Sequence, residues 1–240
     1  MYRLLSIATV GASIAVLTPN PIADDLMVNG LKSSNITVDK VDGDRILYKT
    51  QSGSPSDKSI NDKLQLVITD EPNLATAEDA FIKLKYSDAV DGYQKVLRTT
   101  SKPWLKDYAA FRLVKSGEKA DRFDAVVTGY LVILQKNPTF AKDMKLNIPT
   151  DPKNSYLATA AKQIDAAITA TKDPAISSSL VSFRMTIAKS MGDQAKVLEL
   201  ANVLTKGANS GNPTNVDATT LSNIVEGNIS LITASVEKKD

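Results

Sequence analysis

The chain has 240 residues, of which 42% are hydrophobic and 23% charged, a composition typical of one or two globular domains with a substantial core. It contains no cysteine and no histidine, which excludes disulfides, thiol nucleophiles, histidine-bound metals and serine–histidine–acid triads. The 29 Lys and Arg residues against 27 Asp and Glu give a net charge of +2 without a basic cluster. We therefore expect no cofactor, no metal site and no nucleic-acid partner.

The first 23 residues have the pattern of an export signal. Arg3 precedes an apolar run from Leu4 to Leu17, and a polar stretch with two prolines follows as far as Ala23. The run is shorter than the roughly 20 apolar residues that a membrane-spanning helix needs, which favours a cleaved signal over a retained anchor. We expect cleavage after Ala23, no stable membrane insertion afterwards, and a mature chain in the periplasm or on the cell surface of a bacterium.

Residues 24–70 are predicted to form a small β-rich segment. Three dipeptides that favour tight turns, Asn29-Gly30, Asp42-Gly43 and Ser52-Gly53, separate runs with strand character. The predicted strands are Asn35–Val41, Asp44–Thr50 and Lys63–Thr69. A segment of this size is a marginal domain by itself, so we expect a small barrel-like unit that packs against the rest of the chain.

After Pro72 the apolar residues follow helical spacing, and the chain matches itself at an offset of 37 residues. The match aligns Tyr86–Leu97 with Phe123–Leu134 and places Gly-Tyr on Gly-Tyr. A further helix precedes each match, over Ala75–Leu84 and Pro103–Val114. Self-similarity at this period is typical of stacked helical hairpins, none of which buries its apolar face alone.

These units resemble tetratricopeptide repeats. The second helix of that motif carries an aromatic residue, a small residue, a second aromatic residue, then a small residue and leucine, with a proline closing the unit. The first unit matches at Tyr86, Ala89, Tyr93, Val96 and Leu97, and the second at Phe123, Val126, Tyr130, Ile133, Leu134 and Pro138. Asp193–Leu204 is similar to a third, degenerate second helix. The order of signal, β segment and helical units, with Pro103–Asp107 between two units, also resembles exported repeat proteins of planctomycete-type bacteria.

The rest of the chain is predicted to be helical. Helices are expected over Asn154–Thr171, Pro174–Met191, Gln194–Lys206 and Asp217–Lys238, with loops at Lys136–Asn154 and Gly207–Asn215. The last helix carries an apolar stripe that suits the cap of a stack: Leu221, Ile224, Val225, Ile229, Ile232 and Val236. The fold class is therefore mainly α, tetratricopeptide-like over 73–240, with hairpins near 75–98, 103–138, 154–191 and 194–238.

Patterns that suggest catalysis are present but incomplete. Ser116-Gly117-Glu118-Lys119 and Ser235–Lys238 fit S-x-x-K, without the companion motifs of penicillin-recognising enzymes. Two carboxylate pairs, Glu78-Asp79 and Asp88 with Asp91, would suit glycoside hydrolysis only across a deep cleft. On repeat helices we interpret these acids as an exposed face, so the chain is not expected to be an enzyme.

Trp104, Tyr108 and Arg112 are the candidate partner-binding residues. They recur every four residues along one face of the first helix of the second unit. The resemblance implies that first helices line a concave groove, and Trp, Tyr and Arg often dominate binding energies. The alternative is that Trp104 packs over the junction with the β segment.

The sequence thus predicts a non-enzymatic interaction module or scaffold of the bacterial envelope, which binds another protein or a peptide in a helical-repeat groove. A self-assembling structural component of the envelope is the alternative, because the ends of a repeat stack can associate. A carboxylate-based hydrolase is the third.

Overall fold

The computed structural model describes residues 24–210 and, beyond them, Val225 and Ile229. The predicted export signal, most of the predicted closing helix and the second S-x-x-K match lie outside the described residues. Val225 and Ile229 are both helical, in agreement with the helix predicted there.

Five strands form one antiparallel sheet in the order β4-β3-β2-β1-β5. They are β1 (Asp24–Val28), β2 (Leu31–Asp42), β3 (Arg45–Lys49), β4 (Pro55–Ser59) and β5 (Leu64–Val67). The long strand β2 pairs with β1 through its first half and with β3 through its second. Gly30, Gly43 and Gly53 have φ angles of +78°, +61° and +80°, which confirms the three predicted turns.

The sheet is open, so the expectation of a barrel-like segment is wrong. A barrel would require β4 to pair with β5, but these strands lie at opposite edges. Strand β4 is a short polar edge that begins with Pro55. The outer edge of β5 already exchanges hydrogen bonds with helical side chains, from Leu66 N–H to Glu78 and from Arg112 to the Leu64 carbonyl. Two of the main-chain groups on this edge are therefore already paired with side chains.

Eight helices lie between residues 72 and 210, so the described chain is mainly helical with a small N-terminal sheet. They are α1 (Pro72–Ile82), α2 (Tyr86–Thr99), α3 (Pro103–Lys119), α4 (Phe123–Lys136), α5 (Pro138–Asp143), α6 (Ser155–Ala170), α7 (Pro174–Ser190) and α8 (Gln194–Ser210). Successive helices pack side by side from α1 to α4, then α4 against α6, α6 against α7 and α7 against α8.

Two predicted loops are partly helical. The loop predicted over Lys136–Asn154 contains α5, because the Asn137 side chain accepts a hydrogen bond from the Phe140 N–H and caps a helix that proline begins. Helix α8 continues to Ser210, four residues into the predicted loop that begins at Gly207.

The turns that join α1 to α2, α3 to α4 and α7 to α8 share one hydrogen-bonding arrangement. In each, a main-chain N–H donates to a carbonyl five residues earlier at 2.9 Å: Lys85 to Ala80, Arg122 to Gly117 and Asp193 to Ala188. The residue before each donor is left-handed: Leu84, Asp121 and Gly192 have φ angles of +59°, +55° and +70°. This is the Schellman ending of a helix, and the first two turns are separated by the offset of the sequence match.

The two glycines of the self-match mark places where paired helices approach closely. A Cβ on Gly92 would lie 2.7 Å from the Cβ of Ala77, and a Cβ on Gly129 would lie 2.5 Å from the carbonyl oxygen of Ala110. Only glycine therefore allows α2 to approach α1, and α4 to approach α3, this closely. The repeated Gly-Tyr dipeptide follows from helix packing.

Each odd-numbered helix begins with a proline in its first turn, at Pro72, Pro103, Pro138 and Pro174. Proline has no N–H, and the first turn of a helix has no internal acceptor for one. Helices α1 with α2 and α3 with α4 correspond to the hairpins predicted near 75–98 and 103–138. In the hairpin predicted near 154–191, α6 and α7 pack together, whereas α5 is only six residues long and packs on α4.

The sheet packs against the face formed by the first helices α1 and α3. Its inward side chains Leu26, Ile46, Leu64 and Leu66 are at most 1% exposed, and they join one hydrophobic cluster that continues from the sheet to α7. A second cluster lies between α7 and α8. The face of the helices that was expected to hold a partner is therefore covered by the chain's own sheet.

Candidate functional site

Trp104, Tyr108 and Arg112 lie on α3, but two of the three are in the interior. Tyr108 and Arg112 are 0% and 1% exposed, whereas Trp104 is partly exposed and packs against the main hydrophobic cluster. A partner cannot reach Tyr108 or Arg112, because the sheet covers this side of α3. The structure thus corrects the assignment of these two residues as a partner-binding surface.

The guanidinium group of Arg112 connects α3 to the sheet. Its Nη1 donates to the carbonyl oxygen of Asn61 at 3.0 Å, and its Nη2 donates to the carbonyl oxygen of Leu64. Its Nε donates to the hydroxyl of Tyr108 at 3.0 Å. The group also lies 4.6 Å from the ring centroid of Phe81, a favourable cation–π distance. Arg112 therefore binds groups of its own chain in place of a partner.

Glu78 is the acidic counterpart of Arg112 and is fully buried. The hydroxyls of Tyr93 and Tyr108 each donate to its Oε1 at 2.8 Å, and its Oε2 lies 3.4 Å from both Arg112 Nη2 and the Leu66 nitrogen. Burial raises the pKa of the Glu78 carboxyl, and the charge of Arg112 opposes that rise. Because every group at the two oxygens is a donor, the geometry fits an ionised carboxylate.

The sequence-based interpretation of Glu78 as part of an exposed acidic face is wrong, because its side chain is fully buried. Its neighbour Asp79 is exposed and pairs with Lys83 at 2.9 Å, as a surface residue does. Glu78 instead points inward between α1 and the edge of β5. It and Arg112 bind the Leu66 N–H and the Leu64 carbonyl, two of the main-chain groups on the β5 edge that a sixth strand would otherwise pair with.

A cleft of about 960 Å³ lies beside this buried pair. Its walls are the 60–63 loop that precedes β5, the second half of α3, and the chain from 140 to 147. The apolar lining residues are Ile60, Phe111, Val114, Phe140, Met144 and Leu146. The rings of Phe111 and Phe140 lie 6.3 Å apart between centroids, and a Cβ on Gly43, at the turn between β2 and β3, would lie 2.9 Å from the Phe140 ring. The cleft therefore forms where the sheet, α3 and α5 meet.

The rim of the cleft carries equal numbers of acidic and basic side chains. They are Asp44, Asp62, Glu118 and Asp143, and Lys63, Lys115, Lys119 and Lys145. Lys119 pairs with Asp62 at 2.8 Å and Lys115 with Glu118 at 3.6 Å. In the described part of the chain the other four make no ion pair. An apolar floor with a charged rim is the usual anatomy of a protein-binding surface.

The catalytic patterns noted in the sequence do not assemble in the described residues. The hydroxyl of Ser116 is buried and donates to the carbonyl of Arg112 at 2.7 Å. The amino group of Lys119, its partner in S-x-x-K, pairs instead with Asp62. Within the described chain, no group of three or more acidic residues is placed to share a metal ion.

Comparisons with protein-family models, with characterised proteins and with solved structures give no match. Over the described residues, no helix has both the length and the apolar character needed to cross a membrane.

Proposed function

We propose that this chain is a non-enzymatic, exported module that binds another protein or a peptide in the cleft between the 60–63 loop, α3 and the 140–147 chain. The observation that carries the proposal is the apolar floor of the cleft inside a rim of charged residues. The buried contacts of Glu78 and Arg112 support it, because they hold two walls of the cleft in fixed positions without occupying the cleft. The binding surface is thus at the junction of sheet and helices, rather than on the face that the sheet covers.

A tetratricopeptide-like origin of the helices is part of the proposal. It is supported by the proline-initiated first helices, by the matching turns at Leu84 and Asp121, and by the close helix approaches at Gly92 and Gly129. Modules built from such helix pairs commonly act as scaffolds, and their partners bind on surfaces that the stack presents.

Export to the envelope of a bacterium is proposed from the first 23 residues. A cut after Ala23 would keep all of the described strand β1, Asp24–Val28, in the mature chain. Mass spectrometry of the native protein should find a mature N-terminus at or near Asp24. Recovery of intact Met1 in a soluble cytosolic fraction would contradict export.

Peptide selection tests binding at the cleft. The purified full-length protein is used to select short peptides from a random phage-displayed library, and hydrogen exchange maps where the selected peptides bind. We expect protection of the 60–63 and 140–147 chains. Lys63→Trp fills the cleft from an exposed rim position and should weaken binding about tenfold or more, whereas Lys153→Trp, at an exposed position outside the cleft, should not. Selection of no peptide, or protection only elsewhere, contradicts the proposal.

Self-association is the second candidate function, and one observation favours it. Val225 and Ile229 lie four residues apart in helical conformation and are 55% and 57% exposed. Apolar side chains on one helix face are a means for two copies to associate. Sedimentation equilibrium at several concentrations tests this candidate. Self-association is supported if the molecular mass rises with concentration and if Val225→Lys restores the mass of a single chain. The mass of a single chain at every concentration excludes it.

A further inference from the structure

The chain that follows α5 leaves the helix at Met144 in β conformation, with φ of −69° and ψ of 122°, and from there to Thr150 it forms neither a helix nor a paired strand. Residues 144–148, which we term the extended segment, alternate between two environments. Met144, Leu146 and Ile148 are partly buried against the main hydrophobic cluster, whereas Lys145 and Asn147 are exposed. An alternation of period two is that of a β-strand with one face on a core.

Beyond Met144, the main chain of the extended segment has no hydrogen-bond partner among the described residues. The N–H of Met144 donates to the carbonyl of Ala141 at 3.2 Å, which is the last bond of α5. From Lys145 to Thr150, no main-chain N–H or carbonyl group forms a hydrogen bond with any described residue. Strands normally satisfy these groups with a neighbouring strand. The extended segment therefore offers an open strand edge.

This open edge borders the cleft. Four residues of the extended segment, 144–147, line one side of it, and the 60–63 loop lies on another. The floor between them includes Phe111 and Val114, which alternate side chains of an added strand would contact. An extended peptide in the cleft could therefore pair its main chain with the extended segment and pack its side chains on the apolar floor.

The charges of the cleft add a preference. Lys145 is exposed on the extended segment and makes no ion pair with a described residue, and Lys63 on the facing loop is also without one. Side chains directly opposite each other on paired strands interact, and opposite charges there are favourable. Asp44 and Asp143 on the same rim also make no ion pair with a described residue, so the preference is local: a carboxylate directly opposite Lys145 would meet a lysine that is not already paired.

We propose that the cleft binds an extended peptide as an added β-strand, which pairs through its main chain with the extended segment and carries an acidic residue opposite Lys145. Strand addition of this kind takes its affinity from main-chain hydrogen bonds and its specificity from alternate side chains. The inference rests on the proposed function, because it specifies the conformation and the charge of the peptide that the cleft binds.

N-methylation of the bound peptide tests the strand pairing. A peptide selected from the random library is methylated at one main-chain nitrogen at a time, and each version is titrated against the full-length protein. We expect losses of about tenfold or more at every second position across the bound part, because only alternate N–H groups of an added strand face its neighbour. Asn147→Pro, which removes one N–H from the open edge, is compared with Asn147→Ala in the same titration.

A charge exchange tests the residue opposite Lys145. Lys145→Glu should weaken the acidic peptide about tenfold, and a peptide with lysine in place of its acid should recover the affinity; Lys153→Glu is the control. A peptide that binds the cleft but tolerates methylation at every position, or loses affinity at consecutive positions, overturns strand addition and leaves the proposed function standing. Failure of any peptide to bind the cleft overturns both.

Discussion

The carboxylate of Glu78 and the guanidinium of Arg112 lie 3.4 Å apart, and their side chains are 0% and 1% exposed. Removing two charges from water is costly, and their attraction repays that cost only when the remaining donors and acceptors are satisfied. Here the hydroxyls of Tyr93 and Tyr108 donate hydrogen bonds to the Glu78 carboxylate, and the main chain of β5 accepts one from the Arg112 guanidinium. We infer that the pair fixes the position of the sheet on α1 and α3 more than it adds to stability.

Arg112→Met should lower the free energy of unfolding by about 3–5 kcal/mol, the usual result of leaving one buried charge without its partner. The substitution also deprives the carbonyls of Asn61 and Leu64 of their donor. Urea unfolding followed by circular dichroism measures the change. Arg98→Met is the control, because Arg98 is exposed and a surface substitution of this kind changes stability by less than about 0.5 kcal/mol.

The double variant Glu78→Leu with Arg112→Met separates the pair from its surroundings. We expect the double variant to lose less free energy of unfolding than the two single variants lose together, because neither charge is then left buried without its partner. Strictly additive effects would mean that the two groups act independently.

Tyr93 and Tyr130 occupy the same position of the two matched units but have different surroundings. Tyr93 donates to Glu78 at 2.8 Å, whereas the Tyr130 ring packs 5.1 Å from that of Phe183 and its hydroxyl bonds to no described residue. Both alanine variants should cost about 3–5 kcal/mol, the range for a buried aromatic side chain. Tyr93→Phe should lower the free energy of unfolding by about 1–2 kcal/mol, because it removes the hydrogen bond to Glu78. Tyr130→Phe should leave that free energy almost unchanged. Equal effects of the two phenylalanine variants would contradict the different roles of the hydroxyls.

The first two helix pairs could be predicted from the self-match of the sequence, because the match reflects local packing. Glycine at positions 92 and 129 permits close helix approach, and the tyrosine that follows each glycine is buried in both units. The turn dipeptides of the sheet were predictable for a similar reason, since a positive φ at Gly30 or Gly43 is a property of the turn itself.

The contacts between sheet and helices could not be predicted in this way. Glu78 follows Leu74 by four residues and therefore lies on the buried face of α1, but nothing local shows that Arg112 and two tyrosines will meet it there. Those partners come from other helices, and the main-chain acceptors of Arg112 come from the loop before β5 and from Leu64, the first residue of β5. The burial of Tyr108 and Arg112 depends on where the sheet packs, which is a long-range property that helical periodicity does not contain.

Leu84 is left-handed at the turn between α1 and α2, with φ of +59°, and its side chain is 69% exposed. A left-handed conformation costs a residue with a branched side chain about 1–2 kcal/mol, and exposure means that little packing is lost on removing it. Leu84→Gly should therefore raise the free energy of unfolding by about 0.5–1 kcal/mol, once the greater chain entropy of glycine is subtracted. Ile82→Gly is the matched control, because Ile82 is also exposed but helical, and it should lower stability by about 1 kcal/mol. A loss of stability in Leu84→Gly would show that the turn is not strained.

Asp24 should make the stability of the protein depend on pH. Partial burial raises the pKa of its carboxyl from 3.8 to about 6; Lys102 opposes the rise, and Asp70 and Asp25 add to it. The folded state therefore binds a proton more tightly than the unfolded state, so stability falls as the pH rises from about 4 through 6. Asp24→Asn removes the charge and should raise the free energy of unfolding at pH 8 by about 1 kcal/mol, allowing for the solvent that reaches the group, with little change at pH 4. Urea midpoints of the two proteins are compared at both pH values. Both proteins keep additional residues before position 24, so that the charged α-amino group of the chain does not lie beside the carboxyl under study. An equal effect at both pH values would mean that Asp24 titrates normally in the folded protein.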